Sequence, residues 1–237
     1  MAKELNHVAL LGLGHSQLDY HLSITHSEEY DEVWAVNSMC AVVKADRVFM
    51  MDPASRFFET EDAGGQTEVM RKTLPKLTCP VYSCELDERV PAIELYPLEK
   101  IVQELGCGYF NNTISYAIAF ALWKRVKQLN VFGADFTYTT NMHFGELGRA
   151  CCEFWLARCL ASGMDIAVAP SSPLLDTNVS EKKKLYGYHR LENPPVVYVE
   201  DGNLKITQFS NIEQEEAVVV SIHGREDDMK PAKQAGL

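Results

Sequence analysis

Several short clusters in this 237-residue chain combine glycine, small polar residues and a titratable group, most of them directly after an apolar run. Gly12, Gly14, His15 and Ser16 follow His7 to Leu11. Glycine lets backbone come close to a ligand, and the N–H groups at a helix start attract an anion. Any strand-to-helix turn also favours Gly and Ser on steric grounds alone. Asn37 follows Glu32 to Val36. Its amide offers a donor and an acceptor, which suits a base or a ribose and equally suits a helix cap. Asp52 follows Arg47 to Met51, and Asn111, Asn112 and Thr113 open the next long helical pattern, where they suit a phosphate or sugar. Asp135 and Tyr138 follow Leu129 to Phe132, with Asn141, His143 and Glu146 just beyond. Asp135 either faces a ligand or holds neighbouring backbone N–H groups. The imidazole of His143 suits a general acid or base near neutral pH. Ser171 and Ser172 follow Asp165 to Ala169.

Other chemistries leave no motif. A P-loop would need GxxxxGK[ST], which is absent, and the dinucleotide turn lacks its third glycine, with His15-Ser16 in its place. HExxH is absent as well, and we read no metal site from the sequence. A metal held by Asp52 or Asp135 together with phosphate oxygens stays open, because magnesium needs only one or two carboxylates. The cysteines at 40, 79, 84, 107, 151, 152 and 159 include no CxxC pair and read as small buried residues. His7, His21, His26, His189 and His223 are given no functional role.

The elements that must position these clusters alternate. Short apolar strands are expected at His7 to Leu11, Glu32 to Val36, Arg47 to Met51, Val81 to Cys84, Leu129 to Phe132 and Asp165 to Ala169. Helices are expected at Gln66 to Thr73, Leu98 to Leu105, Thr113 to Gln128 with Thr113 as a cap, and Glu146 to Ser162. This order predicts an α/β, Rossmann-like, mostly parallel sheet with helices on both faces and a small C-terminal β hairpin unit. Ligands of such sheets bind outside the carboxyl ends of the strands, where the clusters fall. The expected organisation is a nucleotide-binding domain over 1–172, a lid or acceptor-side loop over 173–193, a β appendage over 194–223 turning at Asp201-Gly202-Asn203, and a disordered tail over 224–237.

The bulk composition narrows the partners. A net charge of −11 opposes a broad grip on nucleic acid, which works by neutralising phosphates. The one dense basic run, Lys182-Lys183-Lys184, reads as a solvated loop or an anion-contacting flap. No apolar run reaches membrane-spanning length, and MAKELNH lacks the pattern of a secretion signal, so a cytoplasmic protein is expected. The edge of the C-terminal hairpin offers a route to a homo-oligomer.

GLGHSQLD, WAVN and ADRVFMMDP in the first half, with NNTISYAIAFALWKRVKQLNVFGADFTY and HFGE in the second, carry a resemblance. Over residues 7 to 172 the chain resembles a Rossmann-like superfamily of bacterial sialyltransferases, motility-associated flagellin glycosyltransferases and archaeal 6-hydroxymethylpterin diphosphokinases. That resemblance implies nucleotide contacts at Gly12, Gly14, His15, Ser16 and Asn37, with His15 where the family usually has proline. It implies donor contacts at Asn112 and Thr113 and aligns Asp135 with the family's acid. It also implies a general base at His143 and a leaving-phosphate contact at Tyr138. The implied activity is transfer of a sugar from a nucleotide-activated donor to a hydroxyl acceptor on a glycan, a protein or a hydroxymethylated base of DNA, as in viral genome modification. The charge does not favour DNA. No cofactor is required in that reading. One alternative is a magnesium- and ATP-dependent diphosphokinase acting on a small hydroxymethyl heterocycle. The other is a non-catalytic nucleotide-binding protein.

Overall fold

The structure, a computed structural model, describes residues 5–138, 141–186, 195–200 and 203–208. The chain divides into two units, Met1–Thr177 and Asn178–Leu237. The first unit opens with β1 (His7–Leu11), α1 (Gln17–Thr25), β2 (Glu32–Val36) and a 3-10 segment at Asn37–Ala41. It continues through β3 (Arg47–Phe49), α2 (Ser55–Glu59), α3 (Gly65–Thr73), β4 (Val81–Ser83), β5 (Ile93–Leu95) and α4 (Leu98–Leu105). It closes with α5 (Thr113–Trp123), β6 (Gln128–Phe132), α6 (Met142–Ala161) and β7 (Asp165–Val168). The second unit contributes α7 (Glu181–Lys184) and the antiparallel pair β8 (Pro195–Glu200) and β9 (Asn203–Gln208).

All neighbours in the seven-stranded sheet pair in parallel, in the order β5-β4-β3-β2-β1-β6-β7. Helices cover both faces, so the central strands lack polar alternation: Val8 to Leu11 are all buried. One core gathers α4, α5 and α6 residues over one face; the other joins Tyr20, Met39, Phe57 and Met70 over the opposite face. Phe120 of α5 is the hub of the first, with Trp34, Phe49, Tyr82, Tyr96 and Trp123 within aromatic contact of its ring.

The expected parallel sheet is present, with adjusted boundaries. Helix α5 stops at Trp123 and not at Gln128, because Arg125 turns into a left-handed conformation (φ 55°) and Val126 N–H bonds back to Ala121 O. Asn112, and not Thr113, is its cap, and accepts from Ser115 N–H at 3.0 Å. Helix α6 begins one turn before Glu146, because Asn141 Oδ1 caps it through Phe144 N–H. Strand β5 had no sequence signal: it has three residues, two of them exposed, at the sheet edge. The start of the expected lid, 173–177, packs in the first unit, where Leu174 is buried and Thr177 Oγ1 donates to Ser172 O at 2.7 Å. The expected turn at Asp201-Gly202, the strand at Ala217 to Ile222 and the tail lie outside the described residues. No helix among the described residues is long and apolar enough to cross a membrane.

Truncating the aromatic hub by Phe120→Ala should cost about 3–5 kcal/mol, the range for emptying a buried aromatic site. Urea unfolding followed by tryptophan fluorescence measures it. A loss below about 1 kcal/mol would mean that the ring is not central to the core.

Candidate functional site

Strand order reverses direction at β1, where the chain passes from the β1–β5 series to β6 on the other side. The crevice at such a switch point is where open α/β sheets bind ligands. Leu11 and Phe132 are in register, so the residues after them, Gly12 and Gly133, leave the sheet at the same level. Gly12 N–H donates to Phe132 O at 2.8 Å, and Gly14 N–H to Gly133 O at 2.9 Å. A Cβ on Gly12 would strike Gly133 O, and one on Gly14 would strike the Asp135 carboxylate. Gly12 is therefore demanded by backbone-on-backbone packing, and Gly14 by the Asp135 carboxylate together with Gly133 O.

Ser16 completes the clamp. Its N–H donates to Asp135 Oδ2 at 2.8 Å, its hydroxyl donates to Asp135 Oδ1, and its Oγ accepts from Gly133 N–H at 2.8 Å. Ser16 and Asp135 are both buried. Asp135 thus holds the first turn in place, which is the positioning alternative read from the sequence. The N–H groups of Gly12, Gly14 and Ser16 are consumed by the clamp, and the two that these bonds leave over belong to Leu13 and His15.

Those two residues line a cleft of about 790 Å³ at the carboxyl ends of the strands. Also on its wall are Gly14, Asn37, Asp52, Asn111, Asn112, Thr113, Asp135 and Tyr138. Nine of the sequence-expected site residues are therefore brought together there, counting His15 with these eight. Asn37 has a left-handed backbone (φ 50°), a conformation asparagine tolerates better than most residues. It opens the 3-10 segment without capping it, and its Oδ1 is buried with no hydrogen-bond partner among the described residues. Helix α5 aims its N-terminus into the same space, since Asn112, Thr113 and Ile114 all line the cleft. Asn111 and Asn112 are pinned from behind, donating to Leu147 O at 2.9 Å and Gly148 O at 3.2 Å.

The remaining expected residues lie elsewhere. Gly12 and Ser16 are inside the clamp and do not line the cleft. Ser171 donates to Asp19 Oδ2 at 2.7 Å, while buried Ser172 donates to Ala134 O at 3.3 Å and accepts from Leu174 N–H at 3.2 Å. These two serines fasten the end of β7 and do not face the cleft. His143 is on the exposed first turn of α6 and not in a loop, next to Phe144, which does line the cleft.

Sequence reading missed much of the wall. Phe110, Tyr116, Phe136 and Phe144 supply an aromatic lining, and burial raises the Tyr116 phenol above its ordinary range. Phe136 is left-handed (φ 51°), and Gly145 and Gly148 of α6 leave room for it. Arg56 was also missed, although it stands four residues after Asp52 and pairs with it at 2.7 Å. Hydrogen bonds to Asp52 and Asp62 raise the Arg56 guanidinium further above its ordinary range. Among the described residues, no group of three His, Cys, Asp or Glu side chains could hold a metal ion.

No protein-family model matches the chain, and no characterised protein matches it in sequence. Three solved structures similar to it are of the sialyltransferase CstII. The enzyme from Campylobacter jejuni in complex with the substrate analogue CMP-3FNeuAc is 16% identical, with a TM-score of 0.45 over 71% of this chain and 82% of that one. A point mutant of the α-2,3/8-sialyltransferase CstII is 15% identical, with a TM-score of 0.44 over 71% and 83%. The complex of CstII with a trisaccharide acceptor and CMP is 14% identical, with a TM-score of 0.43 over 70% and 82%.

The clamp yields a paired prediction. Gly14→Ala drives a methyl group into Asp135 and should cost about 1–3 kcal/mol, as overpacking does. Gly65→Ala meets nothing within 4 Å at the start of α3 and should be neutral or slightly stabilising. Thermal unfolding of both variants checks this, and equal melting temperatures would mean that the first turn is not packed as described.

Proposed function

We propose that the cleft binds a nucleotide-activated sugar and that the protein transfers the sugar to a hydroxyl acceptor. The observation that carries the reading is the meeting of two polar features at the switch point. One is the N-terminus of α5, whose partial positive charge favours a phosphate. The other is the buried Asn37 Oδ1, which has no donor among the described residues. An unsatisfied buried acceptor costs about 1–3 kcal/mol, so a ribose hydroxyl or base N–H placed there recovers that loss.

In this reading the phosphate lies between the first turn and Thr113, with His15 beside it. The nucleoside extends over the ends of β2 and β3, toward Asn37 and Asp52. The sugar and acceptor lie on the other side, toward Tyr138 and Phe144. The acceptor oxygen attacks the anomeric carbon, the carbon–oxygen bond to the phosphate breaks, and the nucleotide leaves with the electron pair. A hydroxyl of Tyr138 or Thr113 donates to the departing phosphate oxygen. His143 takes the acceptor proton, which requires it to turn inward from the first turn of α6. Asp135 acts through Ser16, as a positioning residue.

The magnesium-dependent diphosphokinase reading fits the residues less well. Both Asp135 oxygens accept from Ser16, and Asp52 Oδ1 is taken by Arg56, so neither carboxylate is set up as a metal ligand. A DNA acceptor also finds little here, since Arg56 is the one Lys or Arg among the lining residues.

A thermal-shift screen of CMP, UDP, ATP and CMP- and UDP-sugars, each with and without magnesium, tests the proposal. A bound nucleotide sugar raises the melting temperature by mass action. A shift with one sugar nucleotide and its parent nucleotide, unchanged by magnesium, is expected. His143→Ala should then keep that shift while turnover falls roughly 10²- to 10⁴-fold, the usual contribution of a general base. A shift with ATP and magnesium alone would favour the diphosphokinase instead. Binding without turnover by the wild type would mark a nucleotide-binding protein.

A further inference from the structure

Among the described residues Arg56 is the one Lys or Arg on the cleft wall, and it is held from two sides. Asp52, also on the wall, takes Nη1 at 2.7 Å; Asp62, outside it, takes Nε at 3.1 Å. Arg56 and Gln66 both line the cleft, and the segment between them leaves the wall at one and returns at the other. Asp62 lies on the exposed part of that segment. The Thr60 hydroxyl is 2.6 Å from Asp62 Oδ1, and together with Arg56 it keeps the Asp62 carboxyl below the usual carboxylate range. The segment has anchors besides Arg56. Arg71 separately binds Phe57 O at 2.9 Å and Glu61 at 2.7 Å, and Arg89 binds Glu59 at 2.9 Å.

We propose that Arg56 is the anion-binding cation of the cleft and that Asp62 is a built-in competitor for it, so that an anionic ligand binds by displacing Asp62. This deepens the nucleotide-sugar reading by naming the residue that meets the ligand's charge and the contact that restrains it. A guanidinium has five N–H donors. Asp52 engages Nη1 and Asp62 engages Nε, so release of Asp62 frees Nε beside Nη2, the two donors that together take an anion as a fork. Asp52 is the nearer partner and orients the side chain toward the cleft. Asp62 is 62% exposed at its side chain, so it regains full hydration when released, and exchange for a ligand anion carries little penalty. Arg56 is on α2, in the connection that follows β3, and β3 lies two strands away from β1 and its turn. The anion it meets is thus either a phosphate reaching across the cleft or a second acidic group on the same ligand.

The test is isothermal titration with CMP, UDP and inorganic pyrophosphate at low salt, against wild type, Asp62→Asn, Arg56→Gln and the double variant. Asp62→Asn should tighten the anion about two- to five-fold, the span of an exposed ion pair. Arg56→Gln should weaken it about ten-fold, and the double variant should match Arg56→Gln, because Asp62 acts only through Arg56. Tightening of nucleotides but not pyrophosphate would place the contact on a nucleotide-borne group; tightening of all three would mean a general phosphate contact. If wild type binds CMP or UDP and Asp62→Asn leaves the affinity unchanged or weaker, the competitor is overturned while the nucleotide reading stands. If neither nucleotide binds any variant but Asp62→Asn tightens pyrophosphate, the nucleotide reading falls and the competitor stands. Binding by none of the four proteins overturns both.

Discussion

The bond set between Ser16 and Asp135 is the constraint on which the cleft depends. It joins the turn after β1 to the turn after β6, residues more than a hundred positions apart in the chain. Those strands are neighbours, so the two turns would meet in any case, but meeting does not fix their spacing. A buried carboxylate that accepts twice from one serine does fix it. Hydrogen bonds to an ionised group are shorter and about twice as strong as neutral ones. With the turns locked, Leu13, His15 and the start of α5 share one wall, and the gap between the two halves of the sheet becomes a shaped cleft.

The same logic governs charge in that cleft. Two carboxylates line it among the described residues, and each is already committed, Asp135 to Ser16 and Asp52 to Arg56. The helix ends add partial positive charge without adding a side chain, and neither α5 nor α6 carries an acid in its first turn. A phosphate entering here therefore meets backbone donors and one restrained guanidinium. Aromatic rings of Phe110, Phe136, Tyr138 and Phe144 form much of the remaining wall, which suits the flat faces of a base or a sugar ring.

The fold was largely legible in the sequence, because buried parallel strands are short apolar runs bounded by polar residues, and six of the seven show that signature. Strand β5 did not, since an edge strand of three residues buries too little to leave one. The polar half of the cleft was legible for a related reason: ligand groups gather at strand ends, and strand ends could be found. The aromatic half was not. Phe110 follows no strand end, and the place of Phe136 on the wall depends on its left-handed turn and on the room that Gly145 and Gly148 leave for it. Ser171 and Ser172 failed in the opposite direction: they sit at a strand end, but Asp19 and Ala134 occupy their hydroxyls. Position at the carboxyl edge says where a ligand would be and does not say which side chains are free to meet it.

That distinction bears on the glycine turn. Gly-Leu-Gly-His-Ser resembles an anion-binding loop, yet Gly12 and Gly14 are required by Gly133 and Asp135 whether or not a ligand is present. Three of the turn's N–H groups are spent inside the protein. The glycines are thus explained by packing, and they carry no weight as ligand contacts in themselves. Asn37 is the reverse case. Its buried Oδ1 has no partner among the described residues, and that carries an energetic cost. A cost without an internal return, at a strand end beside an open cleft, is the stronger sign of a ligand. The glycine turn supplies a rigid part of the wall that this asparagine shares.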